Sequence, residues 1–414
     1  MGGRFPSCAG MVEQGSAGRA LPPLWLLIAI STPGPLALNI LMPSMPGLVT
    51  AFSTDYGMVQ LTLTLFLAGM AVSQIFAGTL ADRFGRRRVV IGGLILFLTG
   101  SLLCLIAPTI HLLIFGRVIQ ALGGATGMVM ARTILRDIHG LNRAAAMIGY
   151  VTMVMVIAPI AAPTLGGVLD SAVGFRGSFG FTAAVAVLLL LSSLPLLHET
   201  HAGPFQSQGV GPMFASFGIL AGQWGFLRPA LTISFSSAVF FSFLGGAPYV
   251  TITLMGRSSA EYGFYFAIVG LCYMAGNFLT GRLSERLGAQ SLITGGTIIT
   301  LGGGILLAGA YLIGLLNPIT LFLGMSVVAL GNGLCLPSGT AAAISADPAR
   351  IGAASGLAGF LQMASGAIAS FLVGALLDQT ATPLIVAMTG FAIAAFVVNI
   401  LGQGLGRKEG EIQS

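Results

Sequence analysis

Twelve stretches of this 414-residue chain are apolar over the roughly 20 residues that a helix needs to cross a bilayer core. They fall at about 24–45, 58–79, 89–107, 112–134, 145–169, 178–197, 228–251, 263–281, 290–314, 319–343, 352–377 and 383–404. Only 7% of the residues are charged against 55% hydrophobic, too little polar surface to cover a water-soluble domain. The expected fold is therefore all-α and integral to the membrane. Its 60 glycines fit, because small residues let membrane helices approach closely. The net charge of +6 is no nucleic-acid footprint, since the arginines cluster in short turns between apolar runs. Cys8, Cys104, Cys272 and Cys335 lie far apart, so neither a disulfide framework nor a metal set is expected, and no cofactor is implied. The run from Leu24 has no small-residue cleavage site after it and reads as the first span.

The turn GTLADRFGRRR at 78–88 returns in degraded form as GRLSERLG at 281–288, and GGVLD at 166–170 is echoed by GALLD at 374–378. A glycine-bounded charged turn repeated once per half marks a duplicated chain. Membrane proteins built this way are usually transporters, their halves rocking around a site between them. The expected division is a tail (1–23), a six-helix bundle (24–197), a linker (198–227), a second six-helix bundle (228–404) and a tail (405–414). In the linker, Phe214, Phe217, Leu220 and Trp224 could line one face of a helix lying on the membrane surface; an ordinary linker is the alternative. Arg4, Arg19, Arg83, Arg86, Arg87, Arg88, Arg132, Arg136, Arg143, Arg228, Arg282, Arg286, Arg350, Arg407 and Lys408 fall on the side of the termini, against Arg176 and Arg257 opposite. Positive charge stays cytoplasmic, so both termini are expected inside.

The first turn resembles the signature loop between spans two and three of the major facilitator superfamily. Within it the chain is most similar to the bicyclomycin-resistance (Bcr/CflA) branch of drug:proton antiporters, through ILMPSMP at 40–46, RVIQALGG at 117–124, ARTILRDI at 131–138 and APIAAPTLGG at 158–167. The resemblance implies two pseudo-symmetric six-helix bundles. It also implies a conformational switch of Gly78, Asp82, Arg83, Gly85, Arg86 and Asp137, stabilising an outward-open state, whereas Arg87 and Arg88 are expected only to fix topology. Arg117 falls within a span, about 9 Å along its helix from the outer end at 1.5 Å per residue, and Gln120 shares its face. A cation there should face a protein cavity, and the R-x-x-Q spacing resembles a motif implicated in proton coupling; snorkelling to headgroups is the alternative. Pro159, Pro163, Gly166 and Gly167 resemble the antiporter motif of exporters, with Ala158 in place of its usual glycine.

One departure stands out. The branch carries an acid in span one, where this chain reads NILMP and has Asn39, which takes up no proton at physiological pH. No acid falls in a span interior, and His111, His139, His198 and His201 lie at span ends or in loops. Proton antiport is the resemblance's default. The open alternatives are Asp170 or Asp55 reaching inward, a proton carried by the substrate, or facilitated diffusion. Candidate lining residues are Asn39, Phe66, Gln74, Met153, Phe243, Tyr249, Tyr273, Asn277, Asn332, Gln362 and Met363, a set suited to an apolar or amphipathic solute. The expected function is export of such small molecules by a monomer in the cell inner membrane, by alternating access and with proton linkage implied by the family. The alternatives are a facilitator or exporter of a neutral metabolite and, more remotely, a non-transporting sensor. An enzyme is not expected, for no acid–base, nucleophile or metal cluster lies at membrane depth.

Overall fold

The computed structural model describes the backbone of residues 22–155, 157–200, 210–377 and 379–412, with the side chains at 79, 82, 136, 139–160, 210, 212, 349 and 402–412 outside the description. Every regular element in it is helical. The first span is broken into α1 (Leu24–Ser31), α2 (Pro33–Ile40), a 3-10 turn (Met42–Ser44) and α3 (Met45–Ala51). Pro33, Pro35, Pro43 and Pro46 account for the breaks, since each removes a backbone donor and clashes with the preceding turn. The next spans are α4 (Tyr56–Phe84), α5 (Arg86–Ile106), α6 (Ile110–Met155), α7 (Ile157–Val173) and α8 (Phe175–Leu196). After the linker helix α9 (Val210–Ala221) come α10 (Trp224–Pro248) with a π-helical turn (Tyr249–Leu254), α11 (Ser259–Leu312), α12 (Pro318–Ser345), α13 (Ile351–Leu376) and α14 (Thr382–Ile412).

Among the described residues ten helices are long and apolar enough to span a membrane. The helix α11 holds two of the twelve expected runs, joined at Gly288, and the run at 145–169 is shared between the end of α6 and α7. The turn repeat is visible in the backbone. Gly85 has φ 92 and ψ 154, and Gly288 has φ 74 and ψ 158. Both sit in a region open almost only to glycine, so the two copies of the turn keep one shape.

The helices α1 to α8 pack chiefly on one another, and α10 to α14 do the same. The two groups meet along two seams, α4 against α13 and α7 against α11. At the end of the molecule bearing Pro43 and Asp55 these seams are tight. Tyr56 donates to the Gly245 carbonyl at 2.9 Å, Gln60 donates to Ser370, Thr164 donates to the Gly263 carbonyl at 2.9 Å, and Ser259 donates to the Pro43 carbonyl at 3.1 Å. The second sequence echo lies here. A Cβ on Gly167 would stand 2.5 Å from the Ser259 carbonyl oxygen, and one on Gly374 would strike the stem of Gln60. GGVLD and GALLD therefore supply the close approach of each seam.

The linker is partly as expected. Leu220 of α9 is buried with Phe226 and Ala230, while Phe214 stays 52% exposed. Trp224 begins the next helix instead of extending that face. The Thr64 and Ser370 hydroxyls lie 3.4 Å apart across the α4–α13 seam. In the absence of native cysteines, Gly374→Val should therefore lower oxidative cross-linking between cysteines placed at 64 and 370 by several-fold, because the Gln60 stem faces the added side chain and the seam cannot close.

Candidate functional site

Breaking span one frees carbonyls in a place where each needs a partner. At the end of α2 the Leu41 N–H turns back to the Asn39 carbonyl. The Ala37 carbonyl instead accepts from Arg117 Nη1 at 3.0 Å, the Ile40 carbonyl from Ser178 Oγ at 3.4 Å, and the Pro43 carbonyl from Ser259. Unmet backbone groups cost several kcal/mol each in a low-dielectric interior, on the order of the amide transfer cost. These three side chains therefore hold the broken span in place.

Arg117 is fully buried and does not snorkel. Its Nη1 also donates to Gln120 Oε1 at 2.6 Å, and its Cζ lies 3.9 Å from the centroid of the Phe66 ring. Gln120 passes the network on, donating to Ser101 Oγ at 2.7 Å and to Thr182 Oγ1 at 3.4 Å. The open cavity expected around Arg117 and Gln120 is thus corrected. This face of α6 turns into the first bundle, among α2, α4, α5 and α8, where both residues are closed off. Two hydrogen bonds to a charged group, about 1.5–3 kcal/mol each, and a desolvated cation–π contact of about 2 kcal/mol offset a desolvation penalty of several kcal/mol. The Nε and Nη2 donors have no partner among the described residues, and neither does Asn39 Oδ1, whose Nδ2 bonds to the Pro35 carbonyl.

Neither Asp55 nor Asp170, the two acids weighed for a central site, lies at the middle of a span. Asp55 is exposed and caps α4 by accepting from the Met58 N–H at 2.9 Å, and Asp170 lies near the end of α7. Asp347 is buried, though at a helix end. It holds Arg350 at 2.6 Å and accepts from Gln223 at 3.3 Å, a cluster the residue pattern did not announce.

At the first repeated turn, Arg86 Nε donates to Asp137 Oδ2 at 3.0 Å, so two of the expected switch residues meet. Arg83 is exposed beside Phe84, and Gly78 is interior to α4. The side chain of Asp82 lies outside the described residues. Gly85, the N-cap of α5, has no side chain to satisfy the helix's first donors, and Glu199 does so, accepting from the N–H groups of Arg86 at 2.9 Å and Arg87 at 3.3 Å. Arg87 does more than mark topology, donating to the carbonyls of Leu197 at 2.7 Å and Leu194 at 2.9 Å, the last turn of α8. Sequence reading missed Glu199; its signal was a lone acid just past a span beside a charged turn. Glu199→Ala should cost about 1–3 kcal/mol, the range of a cap and a charge-assisted bond. The check is a lowered thermal midpoint in detergent.

The expected lining residues divide. Phe66, Phe243 and Asn332 are corrected to core: Phe66 under Arg117, Phe243 against Phe266 and Phe322, and Asn332 bonded to the Ser236 carbonyl and Thr300. Asn39 is likewise buried. Gln74, Tyr249, Tyr273, Asn277, Gln362 and Met363 are half-buried, and Gln362 donates to Ser237 at 2.8 Å. Tyr249 packs against Tyr56 in a tilted pair with centroids 4.7 Å apart, where the helix passes at Pro248 into its π-helical stretch. Met153 and the side chain of Pro159 lie outside the described residues. Pro163 stands inside α7, and Gly166 lies against the freed Ile40 carbonyl.

Two helical bundles meeting at two seams are an arrangement suited to rocking about a site between them. The chain belongs to the Major Facilitator Superfamily, whose family model matches residues 27–370. It is 28% identical over 366 residues to the uncharacterized MFS-type transporter YdgK of Bacillus subtilis (strain 168), covering 87% of this chain and 90% of that protein. With the multidrug resistance protein MdtL of Salmonella typhi it shares 26% over 371 residues, 89% of this chain and 90% of the relative. In fold it resembles the xylose transporter XylE from E. coli in a partially occluded inward-open conformation (TM-score 0.70, 13% identity, 90% of this chain and 96% of that one). It also resembles a bacterial homologue of the human lysosomal transporter Spinster, inward-facing and occupied (TM-score 0.71, 18% identity, 92% and 96%). The protein is a multi-pass membrane transporter of small molecules.

Proposed function

We propose that the protein is an exporter in the cytoplasmic membrane, of the Bcr/CflA type, moving small apolar or amphipathic compounds by alternating access between bundles divided at the 198–227 linker. The carrying observation is the closure of the two seams at the end bearing Pro43 and Asp55, by Tyr56–Gly245, Gln60–Ser370, Thr164–Gly263 and Ser259–Pro43. With both termini cytoplasmic, as the arginine bias supports, the sealed end faces outward and cargo enters from the cytoplasm. Neutral amides, tyrosines and methionine at half-buried positions suit such cargo. The multidrug resistance names of relatives such as MdtL fit the same reading.

A second reading concerns coupling. Asn39 stands where the branch has an acid, and Asp55 is occupied as a helix cap, so export runs without a carboxylate proton site. In proteoliposomes, an imposed pH gradient should change transport of a neutral compound by less than about twofold, and strong proton coupling would overturn this reading. Asp82→Asn should slow turnover several-fold while leaving insertion intact, because it biases a conformational equilibrium instead of removing a cargo contact. Unchanged turnover in the folded variant would leave the turn a topological role only.

A further inference from the structure

The guanidinium of Arg117 is held at one end and unmatched at the other. Nη1 is fixed by Ala37 and Gln120, whereas Nε and Nη2 have no partner among the described residues although Arg117 is fully buried. Those two atoms share one edge of the guanidinium plane and present parallel donors, the geometry that receives a carboxylate through two bonds. The charge cannot be relieved by deprotonation, because arginine stays cationic in proteins. Among the described residues no carboxylate pairs with that edge. Asp55 caps α4, Asp137 holds Arg86, Glu199 caps α5, Glu261 caps α11 and Asp347 holds Arg350. Beside the same break in span one, Asn39 Oδ1 is a second buried group without a partner among the described residues.

We infer that the Nε–Nη2 edge of Arg117 receives a monovalent, carboxylate-like acceptor carried by the cargo, so that the exported class is amphipathic monoanions. The inference rests on the exporter reading and narrows it. Asn39 Oδ1 suits an N–H or O–H next to the cargo's acid. Access follows from the broken span. Ser259 of the opposite bundle holds the Pro43 carbonyl, so parting of the bundles releases the 41–44 segment above the Arg117 network. The class also answers the coupling question. A monoanion leaving a cell that is negative inside moves down the electrical gradient, and one elementary charge across 100 mV sustains about a 45-fold concentration ratio. No proton-carrying side chain is then needed.

The probes are hippurate, an aromatic monocarboxylate with an amide N–H beside its acid; its neutral analogue benzoylglycinamide; and sodium chloride. Two measurements use the full-length protein: the thermal midpoint in detergent, and accumulation in proteoliposomes driven by a potassium–valinomycin potential, positive inside, with equal pH on both sides. Hippurate should raise the midpoint and accumulate at least tenfold more than the amide. Both responses should fall at least tenfold in Arg117→Lys, which keeps the charge and loses the fork. They should also fall in Asn39→Asp, where a carboxylate of the chain competes, while its unliganded midpoint is at or above that of the parent. The inference is overturned if the amide matches hippurate, if Arg117→Lys and Asn39→Asp both respond as the parent does, or if hippurate adds nothing to a shift that chloride alone produces, which would mark a halide site. Movement of the amide without preference for hippurate keeps the exporter reading and removes this one. Stabilisation by hippurate without movement of any compound keeps Arg117 as a carboxylate site but overturns both export and the assignment of that acid to exported cargo.

Discussion

The structure depends on one constraint: inside a bilayer every backbone polar group must find its partner within the protein. Eleven of the expected runs meet it largely by being helical. Span one does not, because its prolines interrupt it, and the freed carbonyls of Ala37, Ile40 and Pro43 are taken by side chains from three other helices. A backbone need thereby becomes tertiary structure. Arg117 ties α6 to α2, Ser178 ties α8 to the same break, and Ser259 reaches it from the second bundle. Only the last of these bonds crosses between bundles, so the break is a point where movement of one bundle is felt inside the other.

The seams show how little chemistry a moving interface uses. Single hydrogen bonds to backbone carbonyls, a glutamine on a serine and two glycine contacts close one end. None is an ion pair among the described residues. Neutral bonds of this kind are individually modest, about 0.5–1.5 kcal/mol net each, which suits an interface that must open and reclose many times.

Much of this was legible in the residues, because membrane folds write their constraints in long runs. Apolar length revealed the spans, the arginine turns revealed the duplication, and Gly85 and Gly288 proved to share one backbone conformation. Arg86 and Asp137, two members of the expected switch, lie 3.0 Å apart. What escaped were facts of rotation and of partners distant in sequence. Helical periodicity puts Arg117 and Gln120 on one face but does not say whether that face meets a cavity or a bundle core. Phe66, Phe243 and Asn332 are the residue types that line pockets, and the same chemistry fills cores. Glu199 and Arg87 became visible only when the end of α8 was seen against the start of α5.

The two copies of the turn have kept a shape and parted in charge. Beside Gly85 the first copy is held by carboxylates, Asp137 on Arg86 and Glu199 on the start of α5. Beside Gly288, Gln290 stands where Arg87 stands in the first copy, accepting from Arg228 and donating to Asn399, and among the described residues no ion pair joins that turn. Screening by salt acts on the first set of contacts far more than on amide bonds, with a reach of about 8 Å at physiological ionic strength. Ionic strength therefore acts unequally on two copies of one turn: what it weakens belongs to the first bundle, modestly because Arg86 is buried, and the amide contacts of the second stay as they were.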